Sequence, residues 1–338
     1  MTIPIQETFT NWLKENGEGF SGVFSVTTPD GILYQQAHGH RNKAEQLPNT
    51  TDTAFAIASG TKLFTGLAIN KLINEKKLSL EDKLHDLLPH NLKQIDKRVN
   101  VFHLLTHTSG VGDYIDEEAE EDEDNPLPNL FDQYPTHLWT RLEYYLQMIT
   151  PLPPKFEPGE RYGYSNAGYI LLGLVIEAIS GVSYQQFVTD AIITPYGLTR
   201  TGFYRTDALP TNTAIGYMQD EDIDEWHTNI FSVPILGGSD GGLYTCAADI
   251  DKLWRSIDLT SDMFKSHVQI EDDGSESYGL GVYHYHADGK QAHFAVGGDA
   301  GVGFFTAYYP KSKVVISGFS NTGWIDGTYA LISEIGGI

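Results

Sequence analysis

The sequence predicts an α+β fold: one antiparallel sheet flanked by helices and built from both ends of the chain, with a mostly helical domain inserted between them. Three observations carry this. Residues 22–26 and 31–37 are short β-rich runs flanking Pro29-Asp30-Gly31, a strong hairpin signal. Residues 279–286, 304–309 and 314–319, near the other end, are equally short, β-rich and punctuated by turn residues. Between these ends the apolar residues recur with helical rather than strand periodicity. Strands need partners, so the two ends supply them to each other. The expected units are residues 1–80 with 241–338 for the sheet and 81–240 for the insertion, with the functional cleft between them.

Taken in order, Met1-Thr2-Ile3-Pro4-Ile5 leads into a polar, helix-like stretch with neither the basic start nor the apolar core of a secretory signal. No run is long and apolar enough to span a bilayer, which makes a cytoplasmic protein the expectation. After the hairpin, Leu63, Phe64, Leu67, Ile69, Leu72 and Ile73 fall close to a 3.6-residue period, so a helix is expected to open at Ser59. Pro158-Gly159 turns the chain, and Leu171, Leu172, Leu174, Val175, Ile176 and Ile179 then carry a buried helix. A last helix is expected near Tyr329-Ala330-Leu331-Ile332, covering the sheet together with the Ser59 helix.

Composition narrows the function classes. At 338 residues and 41% hydrophobic, the chain can bury one large core or two smaller ones. A formal net charge of −23 with no basic stripe excludes nucleic acid and anionic membranes as partners. Cys246 is the only cysteine, so no internal disulfide exists, and its small apolar neighbourhood reads as core.

Ser59-Gly60-Thr61-Lys62 sets a hydroxyl and an amine three residues apart, on one face if the helix forms. Free N–H groups and the positive helix end favour an oxyanion there, and a desolvated amine can act as base toward the hydroxyl. Such a pair arises about once by chance in a chain of this length. A second constellation, Tyr164-Ser165-Asn166, places a phenol and a carboxamide two residues apart, so that in an extended segment both project to one side. The phenol can relay the serine proton, and the amide can hold Lys62 or a substrate carbonyl.

These two motifs, separated by Leu104-Leu105-Thr106-His107-Thr108-Ser109-Gly110-Val111, resemble the class C β-lactamase, D-Ala-D-Ala carboxypeptidase and related esterase group of penicillin-recognising serine hydrolases. Gly168-Tyr169, Pro195-Tyr196-Gly197-Leu198 with Thr201, and Gly241-Gly242-Leu243-Tyr244-Thr245 with Asp249 follow in the family's order, from about residue 20 to about residue 320. The resemblance implies a β-lactamase/transpeptidase-like αβα fold and an acyl-enzyme at Ser59. Lys62 and Tyr164 would move the proton, and Asn166 would orient Lys62 or the acyl chain. It implies no metal or organic cofactor.

The third family motif departs from the pattern. In the family a Lys or His begins a Gly-containing strand facing the nucleophile. Here the run is His293-Phe294-Ala295-Val296-Gly297-Gly298-Asp299, with Val296, or Gly297 in a register shifted by one, at the cationic position. Neither attracts a carboxylate. What remains is backbone, with an N–H near Gly298 or Asp299 to complete an oxyanion hole with Ser59 N–H. The expected substrate is therefore a small ester or amide lacking that carboxylate, with a peptidase or weak β-lactamase, and a non-catalytic penicillin-binding sensor, as the competing readings.

Other features are expected to be structural. His103 and His107 sit four apart but show no third metal ligand, and His284 and His286 share what reads as a half-exposed strand face. His293 lies three residues before Val296, on the opposite strand face. The acidic run from Asp116 to Asp124 is expected to be a solvated loop overhanging the cleft and disfavouring anionic substrates.

Overall fold

The computed structural model describes residues 5–16, 20–117, 133–220, 225–271, 273–287 and 289–323. The expected C-terminal helix and the acidic run beyond Glu117 lie outside the described residues.

Eight antiparallel strands form the main sheet: β1 (Gly22–Thr28), β2 (Gly31–His38), β3 (Val268–Gln269), β4 (Glu276–Tyr278), β5 (Tyr283–Ala287), β6 (Lys290–Asp299), β7 (Val302–Tyr309) and β8 (Val314–Ser320). Their order, β2-β1-β8-β7-β6-β5-β4-β3, joins the two chain ends where β1 meets β8, with Val23 opposite Phe319 and Ser25 opposite Ser317. The Pro29-Asp30-Gly31 hairpin forms as expected. Gly31 takes φ +127°, a conformation that L side chains rarely adopt, and Thr28 pairs with it.

Among the described residues four helices reach ten residues: α1 (Ile5–Asn16), α2 (Thr61–Asn74), α3 (Asn166–Ser180) and α4 (Ala247–Ser256). Strand alternation sends Phe24, Val26, Phe305 and Tyr309 to one face, where Phe9 and Trp12 of α1 cover them. Phe9 stacks on Tyr34 with centroids 4.4 Å apart, and Trp12 meets Phe24 edge-on at 5.0 Å. Side chains of this size, fully buried, contribute roughly 1.5–3 kcal/mol each. The other face, with Val23, Phe304, Tyr308 and Phe319, lies under α2 and α4. There Trp254 stacks on Tyr308 and donates its indole N–H to Thr306 Oγ1 at 2.9 Å.

α2 buries more than the apolar positions that mark it in the sequence. Every residue from Thr61 to Ile69 is buried, because the helix runs between the sheet and α3. Gly66 makes this approach possible: a Cβ there would sit 2.4 Å from Leu280 O. One apolar cluster runs from Phe304 and Phe319 through Leu63 and Leu67 to Leu104, Leu171 and Ile176, so sheet and inserted helices share a core. Within residues 81–240, α3 is the only helix longer than five residues among the described ones; the remainder is short helices of three to five residues, turns and a ribbon pairing Tyr217–Asp220 with Glu225–Thr228.

α3 has a clear start and stop. Ser165 caps it, its Oγ accepting from Gly168 N at 3.0 Å, and Gly181 ends it at φ +75°. These caps fix the register that places Asn166 at the first turn, facing α2.

Candidate active site

Ser59 lies in a single 3₁₀ turn, Ala58–Gly60, and the α-helix proper begins at Thr61, so the serine precedes α2 rather than opening it. Two close approaches hold the turn. A Cβ on Gly60 would lie 2.5 Å from the Phe304 ring, and one on Gly297 would lie 2.1 Å from Ile57 O and 2.9 Å from Ser59 N. Thr61 Oγ1 ties the turn further, donating to Ala58 O at 2.7 Å and accepting from Leu243 N at 3.0 Å. Ala58 takes φ +42°, a left-handed conformation unusual for a residue with a side chain, beside the nucleophile.

Lys62 is 3% exposed and uses all three of its N–H donors: to Ser59 Oγ at 2.9 Å, to Asn166 Oδ1 at 2.8 Å and to the Asp240 carbonyl at 2.8 Å. Burial lowers its pKa to about 8, against the opposing pull of Asp240, Glu117, Asp113 and Asp299. Tyr164 Oη donates to the same Ser59 Oγ at 2.8 Å. Burial, reinforced by Tyr283 and Glu117, keeps the Tyr164 phenol protonated well above the ordinary tyrosine range. The ammonium lies 4.8 Å from the Tyr164 ring centroid and 5.5 Å from that of Tyr169, within cation–π reach.

His107 backs this arrangement. Its ring lies 4.5 Å from Tyr164 and 4.9 Å from Tyr169, centroid to centroid, and its Nδ1 accepts from Ser165 N at 3.0 Å. Burial first, and then Lys62, push its pKa well below the usual value, so it is a neutral packing group with the proton on Nε2. His103 caps its own short helix with Asn100. The structural reading of both histidines holds.

Asn166 is oriented at both ends of its amide. Oδ1 faces Lys62, and Nδ2 donates to Glu117 Oε1 at 3.0 Å. The Asp113 carboxylate accepts from Asn166 N at 2.5 Å and Ala167 N at 3.1 Å, tying down the α3 N-terminus. Burial nevertheless raises Asp113 to about 7. Asp240 accepts from the Tyr114 hydroxyl, and burial raises its pKa too.

The structure decides the register of the third motif. Val296 packs on the α1 side of the sheet, and Gly297 faces the Ser59 turn. No side chain fits at Gly297, so a cation has no place there. Asp299, two residues on and therefore on the same strand face, joins Gly298 and Ser59 in lining a cavity of about 140 Å³. Asp299, exposed at the cavity wall, accepts from Ala300 N at 2.8 Å, and desolvation by the residues around it, with Asp240 and Glu117 adding to it, raises its pKa to about 6. Glu117, Asp240 and Asp299 are the three carboxylates of this lining, and no Lys or Arg joins them among the described residues.

One expectation is corrected here and the others hold. His284 is 1% exposed rather than half-exposed, and its Nδ1 lies 2.7 Å from His293 Nδ1. Burial lowers this pair to about 3 and about 4, so both are neutral, and His293 is turned toward its partner rather than the cavity. Cys246 is buried, as expected. Sequence reasoning missed Asp113, Tyr114 and Asp240. The Gly241-Gly242 motif beside Asp240 was the only local signal, since the lysine contact is made by a backbone carbonyl and carries no side-chain signature.

Residues 9–324 match the family model described as Beta-lactamase. The penicillin binding protein from Bacillus halodurans, a crystal structure, is 36% identical, with 99% of each chain covered and a TM-score of 0.85. Penicillin-binding protein 4* of Bacillus subtilis (strain 168) is 29% identical over 283 residues, covering 78% of this chain, which spans 59% of that relative's length. A D-stereospecific amidohydrolase from Streptomyces sp. is 22% identical at a TM-score of 0.81 over 97% of both chains, a likeness of fold. The fold is thus the β-lactamase/transpeptidase-like one that the motif series implied.

Proposed function

The chain belongs to the beta-lactamase family, and from that premise we propose that it is a serine hydrolase forming an acyl-enzyme at Ser59 with a small ester or amide. One observation carries the reading: a single hydroxyl oxygen, Ser59 Oγ, receives an N–H from Lys62 at 2.9 Å and an O–H from Tyr164 at 2.8 Å. Relatives bearing the names of penicillin-binding proteins support the class of chemistry.

The proton assignments divide the roles. Tyr164 stays a phenol, so Lys62 is the base. With a pKa of about 8, a tenth or so of Lys62 is neutral at pH 7. The neutral amine keeps its two N–H bonds to Asn166 Oδ1 and the Asp240 carbonyl, which leaves its lone pair aimed at Ser59 Oγ. As Oγ attacks the carbonyl carbon, its proton passes to Lys62 Nζ. Ser59 N–H and a strand N–H near Gly298 or Asp299 receive the oxyanion. Tyr164 passes a proton to the leaving oxygen or nitrogen and regains one from Lys62. Water then attacks the acyl group by the reverse relay.

The absence of a side chain at Gly297 favours substrates without a carboxylate beside the scissile bond. The test is turnover of a chromogenic ester and a chromogenic cephalosporin, with intact mass followed in parallel and Ser59→Ala as control. Ester turnover that disappears in Ser59→Ala supports the reading. A cephalosporin adduct that persists without turnover favours a penicillin-binding sensor instead, and no Ser59-dependent adduct or turnover contradicts both.

A further inference from the structure

We propose that the acyl group of the substrate is extended and uncharged, with an amide several atoms from the scissile carbonyl, and that it runs from the catalytic cavity into a second cavity, where Tyr244, Thr206 and Thr213 bind that amide. The inference rests on the Ser59 reading above and specifies its substrate class.

The two sides of the nucleophile are distinct. Tyr164, which passes a proton to the leaving atom, does not line the catalytic cavity, whereas Gly298 and Asp299 of the oxyanion strand do. That cavity of about 140 Å³ therefore takes the acyl group, and Thr206, Asn229 and Tyr244 form part of its wall. The same three residues line a second cavity of about 480 Å³, so an acyl chain too long for the first continues into the second. Their positions are fixed by the backbone. Tyr244 exchanges both main-chain hydrogen bonds with Gly202 at 2.9 Å, and Asn229 Nδ2 donates at 2.8 Å to Ala300 O, in the turn after Asp299.

The second cavity differs in chemistry from the first. Its two charged side chains already have partners: Arg41 donates to Pro48 O, and Asp207 accepts from Nε and Nη2 of Arg205. Leu47, Leu209 and Ile230 give it apolar surface suited to methylene groups. Set among them are hydroxyls that the protein leaves unused. Tyr244 is 5% exposed, and its Oη has no hydrogen bond among the described residues. Thr213 is 6% exposed, and neither its Oγ1 nor that of Thr206 has a partner there. Enclosed hydroxyls in this state are costly. Burial keeps the Tyr244 phenol protonated, so it can donate to an amide carbonyl, while a threonine oxygen accepts from the amide N–H. A plain alkyl chain leaves these hydroxyls unsatisfied. A chain ending in a carboxylate has to pass Glu117, Asp240 and Asp299 and then meets no unpaired cation.

The test compares kcat/KM for the p-nitrophenyl esters of acetate, octanoate, 6-acetamidohexanoate and monoanionic pimelate, in the parent and in Tyr244→Phe, Thr213→Val and Leu209→Trp, the last of which fills the second cavity. The amide lies too far from the ester to change its intrinsic reactivity, so the ratios report binding. The acetamidohexanoate ester is expected to exceed the octanoate and pimelate esters by about tenfold or more. Tyr244→Phe and Thr213→Val should each cut its advantage over octanoate by about threefold or more. Leu209→Trp should lower its ratio to acetate by roughly tenfold. An acetamidohexanoate ester no better than octanoate or pimelate, or ratios that none of the three variants moves, overturns the inference, and Ser59-dependent acetate turnover then leaves the hydrolase reading standing. A parent that turns over none of the esters and never labels at Ser59 with a fluorophosphonate overturns both.

Discussion

Replacing Gly297 with alanine probes how the strand sets the nucleophile. The added methyl would stand 2.1 Å from Ile57 O, 2.8 Å from Gly60 N and 2.9 Å from Ser59 N, all backbone atoms that cannot rotate away. Restoring an ordinary contact of roughly 3.4 Å requires the strand and the turn to part by about 1 Å. Overpacking of this kind costs about 1–3 kcal/mol of stability. A misplacement of about 1 Å at the reacting atoms lowers turnover on the order of 10²-fold. Gly298→Ala is the matched comparison, because nothing lies within 4 Å of a Cβ at that position. Its stability is expected to stay within about 0.5 kcal/mol of the parent. The assay pairs urea midpoints with the second-order rate of Ser59 labelling by a fluorophosphonate. Gly297→Ala matching the parent in both would refute the claim that this glycine positions the turn.

Three further outcomes are expected. Because only the neutral amine accepts the serine proton and Lys62 has a pKa of about 8, kcat/KM should rise nearly tenfold per pH unit below that value and level off above it; a profile already flat at pH 6 would contradict the assignment. Asn166→Asp sets a carboxylate where Oδ1 now lies 2.8 Å from Lys62 Nζ, which favours the ammonium, so the rising limb of that profile should move up by about one pH unit or more, and no movement would deny that residue 166 tunes the amine. Asp113 has its folded pKa raised to about 7 from an ordinary carboxyl value of 3.8, so its contribution to stability is fully present below pH 3.8 and is lost as pH rises through 7. Asp113→Asn should therefore flatten the fall in urea midpoint between pH 4 and 7, while a slope as steep as the parent's would place the titration elsewhere.

The sheet was legible because its strands are short, β-rich and bounded by turn residues, and because the hairpin at Pro29-Asp30-Gly31 needs nothing from the rest of the chain. Ser59, Lys62, Tyr164 and Asn166 were legible as paired side chains at fixed spacing, and the structure brings all four together. The register of the third motif was not. Whether Val296 or Gly297 faces the turn depends on a one-residue shift that swaps strand faces, which only packing against α1 and the Ile57–Gly60 turn decides. The encircling carboxylates were equally hidden. Asp113, Glu117, Asp240 and Asp299 come from three separate segments, and their convergence on Lys62 is a property of the tertiary fold. The full burial of α2 was not legible, because Thr61, Lys62 and Thr65 are polar yet enclosed, each with hydrogen-bond partners inside.

The central claim is that Lys62 activates the oxygen of Ser59, and peptide mapping of the fluorophosphonate adduct, timed in the parent and in Lys62→Met, tests it most directly. The account predicts a single adduct on Ser59 that forms at least 100-fold more slowly once the amine is gone. An adduct on another residue, or one on Ser59 forming at the parent rate in Lys62→Met, would contradict it.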